Sequence, residues 1–322
     1  STMRGAVVTA FGGPEHIEIR NDLSLPAITH PDQVLIDVRA AGINPIDTYI
    51  RAGTFYMQPQ LPFVPGFDGA GVVKEIGPAV THLSVGDRVW FFGGPTGGAA
   101  EVVVAKDVFA LPKDLSFVEG ACLGIPYATA HRAVFTKGHI KTGERVLIHG
   151  ASGGVGLAAC QLAALAGAAL VVGTAGTKEG LEAVIKNGAH HAVNHREAGY
   201  VEKLKELVPE GFDLIIEMVA PTNLNADFEM LARDGRVGIV GGHGFISITP
   251  RALMLKEISA FGVVHRGVTK ECAECLDRLF TTTEYRPVCS KTYTLEETSQ
   301  CHRDLSDPSL PTVGNRVIIV KE

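Results

Sequence analysis

A chain of 322 residues, 46% hydrophobic and 20% charged with 37 glycines, has the apolar material for two domains with full cores. A net charge of −6 with no basic block leaves no electrostatic footprint for nucleic acid. No apolar run approaches the ~20 residues of a membrane span, no secretory leader is evident, and six cysteines without framework spacing read as reduced thiols of a cytoplasmic protein.

In chain order, the first third reads as short strands punctuated by Pro and Gly, at residues 5–8, 33–38, 69–73, 87–91 and 101–104, which predicts a compact β-rich domain. From about residue 119 strands alternate with helices. Strands are expected at 145–149, 169–172, 192–193, 213–218, 236–240 and 259–264, with helices at 157–166, 200–208 and 223–233 among them. That is the signature of a doubly wound parallel α/β sheet. The last fifty residues revert to a helix at 270–280, a strand at 291–294, a short helix and a strand at 316–320. The expected division is 1–122 with 268–322 as the β-rich domain and 123–267 as a doubly wound α/β insert. Cys272 and Cys275 fall on the expected helix at 270–280 without the second pair a metal site needs, so their spacing is incidental.

The most informative segment is Val146-Leu147-Ile148-His149 followed by Gly150-Ala151-Ser152-Gly153-Gly154-Val155-Gly156. A buried strand, a glycine turn and an Ala/Leu-rich helix surround the pattern A-x-G-x-x-G, the dinucleotide fingerprint with Ala151 in its first glycine position. Gly153 lets the backbone approach a pyrophosphate, Gly156 lets helix and strand pack, and the helix N-terminus receives the phosphates. The next strand ends in Gly173-Thr174-Ala175-Gly176-Thr177-Lys178, with no acid before Glu179 to hold a ribose 2′-hydroxyl. Lys178, and His195 after the third strand, suit a 2′-phosphate, so NADP(H) is the expected cofactor. The alternative is that Lys178 is a solvated helix residue and His195 a loop residue.

Longer segments carry a resemblance. They include 41–51 (Ala41-Gly42-Ile43-Asn44-Pro45 to Arg51), Pro65-Gly66-Phe67-Asp68, Gly124-Ile125-Pro126-Tyr127-Ala128-Thr129-Ala130, and the block from His149 to Gln161. Asn187-Gly188-Ala189-His190, Asn194-His195-Arg196-Glu197 and Ile216-Glu217-Met218 add to it. With them the chain resembles the quinone oxidoreductase group of the medium-chain dehydrogenase/reductase superfamily, and within it the zeta-crystallins, nearly end to end.

The resemblance implies a chaperonin-10-like (GroES-like) β domain beside a Rossmann domain, with the active site in the cleft between them. Zinc-dependent relatives have a Cys in the early loop and a His in Gly-His-Glu, where this chain has Asn44 and Phe67. Neither offers the thiolate or imidazole that zinc prefers, so no metal is expected and the acceptor must already be electrophilic. Asn44 is expected to orient the ring or acceptor oxygen. Tyr49 contacts the nicotinamide and donates a hydrogen bond or a proton, or is a wall of the pocket. Thr129 lies beneath the ring, or simply packs its helix.

By the same resemblance Ser152, Gly153, Gly154 and Val155 meet the pyrophosphate, and Gly176, Lys178 and His195 surround the adenosine ribose phosphate. Asn223 and Val240-Gly241-Gly242-His243 lie along the bridging phosphates and adenine-side loops, and Val263-Val264-His265 approach the nicotinamide amide. The chain departs from the group at Trp90-Phe91-Phe92, Ala99, Pro221-Thr222 and His265-Arg266, where altered acceptor preference is expected. The implied activity is NADPH:quinone oxidoreduction. The alternatives are NADPH-dependent alkenal or enone reduction and, from another class, a crystallin-like structural or RNA-binding role. A homo-oligomer, dimer or tetramer, is expected through the strand at 259–264.

Overall fold

The computed structural model describes residues 2–93 and 97–322. It divides into two compact units, one of residues up to Ile125 with Gly267–Leu310 and Asn315–Glu322, the other of Pro126–Arg266 with Pro311–Gly314. Among the described residues no helix is long and apolar enough to cross a membrane.

The first unit is built on β-sheet. Six strands run in the order Cys289–Thr294, Asn315–Ile319, Val34–Ile43, Asp68–Ile76, Arg88–Phe92, Asp107–Ala110, and Val102–Ala105 also pairs with Val34–Ile43. All these pairings are antiparallel except that of Cys289–Thr294 with Asn315–Ile319. Along Val34–Ile43 buried Val34, Ile36 and Val38 alternate with half-buried residues, as expected where one face of a pleated strand meets the core. They pack with Val89, Phe91, Val103 and Ile318. A hairpin of Thr2–Val8 and Ile17–Ser24 forms a second small sheet. Its second strand was not expected, because Arg20-Asn21-Asp22 interrupts the alternation that Ile17, Ile19 and Leu23 keep.

The second unit holds six parallel strands. Numbered along the chain (Arg145–Ile148, Leu170–Ala175, His191–Asn194, Phe212–Glu217, Leu231–Ile239, Ser259–Gly262), their spatial order is 3-2-1-4-5-6. This is the dinucleotide-binding topology, and the order reverses between Arg145–Ile148 and Phe212–Glu217. Val146, Leu147 and Ile148 are fully buried, as a central strand covered on both faces requires.

Helix Gly154–Leu165 starts three residues before the expected 157, since Gly153 is its N-cap. Gly167, at φ +79°, follows its last residues as expected of a stop. The helix expected at 223–233 runs instead over Ala220–Met230. Pro221 fits the first turn, where it gives up no bond, and Leu231 leaves the helix to pair opposite Phe212 and bury itself in the core.

Candidate functional site

The fingerprint turn follows strand Arg145–Ile148. Gly150 takes the left-handed conformation (φ +55°), so the tight turn is made one position before Ala151. A Cβ on Gly156 would lie 2.5 Å from the Ala151 Cα, so this glycine serves the close packing of helix on turn. Gly153 differs. A Cβ there would meet nothing nearer than the Gly150 oxygen at 3.6 Å, at an ordinary φ of −74°. Nothing in the chain's own packing requires its missing side chain. A bare backbone beside first-turn N–H groups of Gly154–Leu165, which have no acceptor within the helix, fits a diphosphate. Ser152 is buried, and its carbonyl accepts a hydrogen bond from the Gly314 N–H at 2.7 Å. Thr312 comes within 3.8 Å of a Cβ on Gly153. No pattern in the sequence signalled that Pro311–Gly314 returns to this turn.

Beyond strand Leu170–Ala175, Gly176 lies under two side chains. A Cβ on it would come within 2.7 Å of Arg196 Nε and 2.9 Å of His195 Nε2. Burial, then the charge of Arg196 and then His149, hold the His195 imidazole below its ordinary pKa, so it acts as a neutral hydrogen-bonding group beside a permanent cation. Lys178 is the first residue of helix Lys178–Lys186, its side chain 85% exposed and 3.9 Å from Glu182. Arg196 was quoted within a motif but not singled out as a ligand, since only the fold brings it over Gly176.

At the reversal of strand order, Asn223 is buried and engaged at both ends of its amide. It donates to Glu217 Oε1 at 3.2 Å and accepts from the Tyr200 hydroxyl at 3.2 Å. Glu217 Oε1 also accepts the Val219 N–H. The Val240 N–H donates to the Glu217 carbonyl at 2.8 Å, and a side chain on Gly241 would collide with the Met218 carbonyl. Gly242 and His243 are exposed. Val263 is buried and its N–H donates to the Ile239 carbonyl at 2.9 Å; Val264 is exposed and His265 half-buried.

Behind the fingerprint lies a buried trio that the sequence did not single out. His149 Nε2 is 2.8 Å from Asp227 Oδ1 and 3.7 Å from Glu217 Oε2. These are the metal-capable donors that come together among the described residues, all within 4.8 Å of one another. Burial pushes Glu217 and Asp227 both up to about 7 and holds His149 below its ordinary value. Glu217 Oε2 and Asp227 Oδ2 accept no hydrogen bond from a neighbouring donor, so with both carboxyls pushed up, a proton on one is the donor the pair can share.

In the first unit, helix Pro45–Ala52 is capped by Asn44, whose N–H donates to Asp47 Oδ2 at 2.7 Å. Burial pushes Asp47 up to about 7 despite N–H donors from Asn44 and Gly66. The Asn44 amide is buried and fixed. Its Nδ2 donates to Asp68 Oδ2 at 2.7 Å, and its Oδ1 accepts from Asn315 Nδ2 at 3.2 Å. Asp68 Oδ1 takes the Ile125 N–H at 2.8 Å. An amide nitrogen carries two N–H groups, and the bond to Asp68 uses one of those of Asn44. Tyr49, one turn along the helix, is half-buried. Thr129 is buried in helix Gly124–His131. Phe67 stacks on Phe92 with ring centroids 5.9 Å apart. An amide tied at both ends, a phenyl ring and a carboxylate with both oxygens engaged do not fit a zinc ion.

Two protein families match the chain. One described as the alcohol dehydrogenase GroES-like domain covers residues 30–114, and one described as zinc-binding dehydrogenase covers 154–281. The quinone oxidoreductase of Homo sapiens is 46% identical over 325 residues, covering 99% of this chain and 98% of the relative. A solved quinone oxidoreductase of Pseudomonas syringae pv. tomato superposes with a TM-score of 0.85 at 26% identity, covering 99% of this chain and all of that one. A mycobacterial protein solved in complex with NADPH gives a TM-score of 0.84 at 28% identity, with the same coverage.

Proposed function

The chain belongs to the quinone oxidoreductase group of the medium-chain dehydrogenase/reductase superfamily and is an NAD(P)-dependent quinone oxidoreductase, and we propose that it uses NADPH and needs no metal. The observation that carries the cofactor reading is Gly176 lying beneath Arg196 and His195, with no carboxylate between the end of strand Leu170–Ala175 and Glu179. A guanidinium and a neutral imidazole there suit a ribose 2′-phosphate, whereas a 2′-hydroxyl is held by an acid.

Bound NADPH supplies a hydride. Gly153 and the N-terminus of helix Gly154–Leu165 hold the diphosphate, and Arg196 and His195, with Lys178 at the rim, hold the 2′-phosphate. The carbonyl edge of Val263 and Val264 fixes the nicotinamide amide. Asn44, held by Asp68 and Asn315, presents its remaining N–H to the acceptor oxygen that gains charge. Tyr49 offers a second donor, and Thr129 supports the ring. An amide tied at both ends at Asn44, a side chain without any ligand atom at Phe67 and an engaged carboxyl at Asp68 support metal-free chemistry.

Two further readings concern the whole molecule. Strand Ser259–Gly262 is last in its sheet, and helix Pro250–Lys256 before it leaves Met254 and Leu255 73% and 65% exposed. That edge supports a homo-oligomer built on it. Six free cysteines suit a reducing compartment, and we place the enzyme in the cytoplasm.

The test is NADPH oxidation by chelator-treated protein, offered an ortho-quinone and a small alkenal in parallel, with oxygen uptake recorded and NADH as control. Quinone turnover with NADPH favoured over NADH supports the reading. Turnover of the alkenal alone to a saturated product moves the protein to enone reduction. NADPH binding without either reaction removes the roles given to Asn44 and Tyr49.

A further inference from the structure

One cavity in the second unit has charged walls that none of the assignments above uses. It encloses about 340 Å³ at the carboxyl ends of strands Leu231–Ile239 and Ser259–Gly262, lined by Arg132, Lys137 and Arg266 against Ile239, Val263 and Val264. Among the described residues no carboxylate lines it. Three arginines of this unit are paired, Arg145 with Asp213, Arg233 with Glu257 and Arg236 with Glu144. Among the described ion pairs no such partner accompanies Arg132, Lys137 or Arg266.

The placement of two of these cations has a local cause. Residues 132–136 form a π-helical turn, closed by the Lys137 N–H donating to the Arg132 carbonyl at 2.9 Å. At 3.6 residues per turn, residues five apart stand about 140° apart around a helix. The wider turn brings Arg132 and Lys137 onto one side, and such turns recur at functional sites. Arg266 comes from the segment after the last strand, at a position where the sequence departs from its group. In a chain of net charge −6, three unopposed cations around an apolar recess are a local reversal of sign.

We propose that this cavity receives an oxyanion carried by the electron acceptor, so that the preferred substrates are quinones bearing a carboxylate or sulfonate. The proposal rests on the quinone oxidoreductase reading and on the two-half logic of the sheet. The fingerprint and Arg196 put the adenosine half over strands 1 to 3, which leaves the carboxyl ends of strands 4 to 6 to the nicotinamide half and whatever reacts with it. The apolar walls suit the edge of an aromatic acceptor, and planar guanidinium groups match an oxyanion with paired N–H donors. The cofactor's diphosphate already has its receiver at the helix N-terminus.

Steady-state turnover of phenanthrenequinone is compared with that of its carboxylate and sulfonate derivatives. The enzymes are the intact protein and the variants Arg132→Met, Lys137→Met and Arg266→Ala. The intact protein is expected to show a lower KM for both anionic acceptors, with a gap that closes as salt rises. Each variant raises the anionic KM by about fivefold, the worth of one exposed charge pair, and leaves the KM for the neutral quinone unchanged. Equal KM values for neutral and anionic acceptors in the intact protein overturn the proposal. So does a variant effect that falls on the KM for NADPH, which would give the cations to the cofactor. Calorimetric titration of the NADP⁺-loaded protein with the sulfonate reads the same difference as a Kd. The site is thereby tested even if no quinone turns over, an outcome that would count against the activity and not against the cavity.

Discussion

The methyl group of Ala151 occupies the space that Gly173 leaves by having no side chain. A Cβ on Gly173 would lie 2.7 Å from the Ala151 Cβ and 2.5 Å from Val184 Cγ1. The fingerprint tolerates alanine in its first position because Gly150 makes the turn and the neighbouring strand carries no side chain at Gly173. Gly173→Ala is therefore expected to cost about 1–3 kcal/mol through overpacking. Ala151→Gly in the same chain should recover part of that loss and leave the clash with Val184. Denaturant midpoints for the double-mutant cycle check this; a Gly173→Ala loss identical in both backgrounds would refute the shared space.

The two later fingerprint glycines separate fold from cofactor. Gly156→Ala places a methyl against the Ala151 backbone and is expected to lower Tm markedly, since backbone there has nowhere to move. Gly153→Ala finds no close neighbour and should leave Tm unchanged while weakening NADPH binding by about tenfold or more, or 1.4 kcal/mol. Thermal melts and fluorescence titrations on both variants decide it. A Gly153→Ala protein that binds NADPH normally would remove this glycine from the site.

Strand, glycine turn and helix are adjacent in the chain, so local pattern was enough to read the fingerprint and the parallel sheet. Arg196 was different. It reaches Gly176 only because strands Leu170–Ala175 and His191–Asn194 are neighbours, and no spacing rule encodes where a guanidinium folds back. Asp227 lies on helix Ala220–Met230, and its approach to His149 is a matter of tertiary packing. The early end of that helix had a physical signal that was outweighed. Leu231 looks like helix continuation by periodicity, but burial opposite Phe212 is worth more than another helical residue.

Arg196→Ala is expected to lower kcat/KM for NADPH about tenfold, the lower end for a charge-assisted hydrogen bond because the residue is exposed. The value for NADH should stay within about twofold, since that cofactor has no 2′-phosphate to lose a partner. Parallel kinetics with both cofactors give the ratio. Equal losses would mean that Arg196 serves the turn and not the phosphate.

The buried trio makes stability depend on pH with a definite sign. Glu217, pushed up to about 7 by burial, keeps in the folded state a proton that the unfolded chain releases near its ordinary carboxyl pKa. Its contribution to stability therefore falls as pH rises between about 5 and 7, by up to about 1.4 kcal/mol per pH unit. Asp227 has the same sign, whereas His149, held low by burial, has the opposite one. Glu217→Gln keeps the oxygen that accepts from Val219 and Asn223 and offers an N–H in place of the shared proton. Relative to the parent the variant should gain stability steadily from about pH 5 to 7. Denaturant unfolding at each pH gives the difference, and a constant offset would mean that Glu217 does not hold the proton.

Asp68 fixes Asn44 only because both of its oxygens accept. One takes the Ile125 N–H and the other takes Asn44 Nδ2, and both residues are buried. In Asp68→Asn the new amide nitrogen must face one of these donors. If it faces Ile125, a backbone N–H loses its acceptor. If it faces Asn44, that amide must turn over, and its nitrogen then meets the nitrogen of Asn315, which now donates to Asn44 Oδ1. The first arrangement leaves a buried donor unmatched, at a cost of about 1–3 kcal/mol, and the second matches its donors only if Asn315 turns over as well, which re-aims the whole network. The expected signature is a lowered kcat with quinone, an unchanged Kd for NADPH and a moderate loss of Tm. Asn315→Ala, which frees the Asn44 oxygen without confronting two donors, should lower kcat less. If Asp68→Asn loses stability but keeps full kcat, the network holds the β unit together and Asn44 does not meet the acceptor.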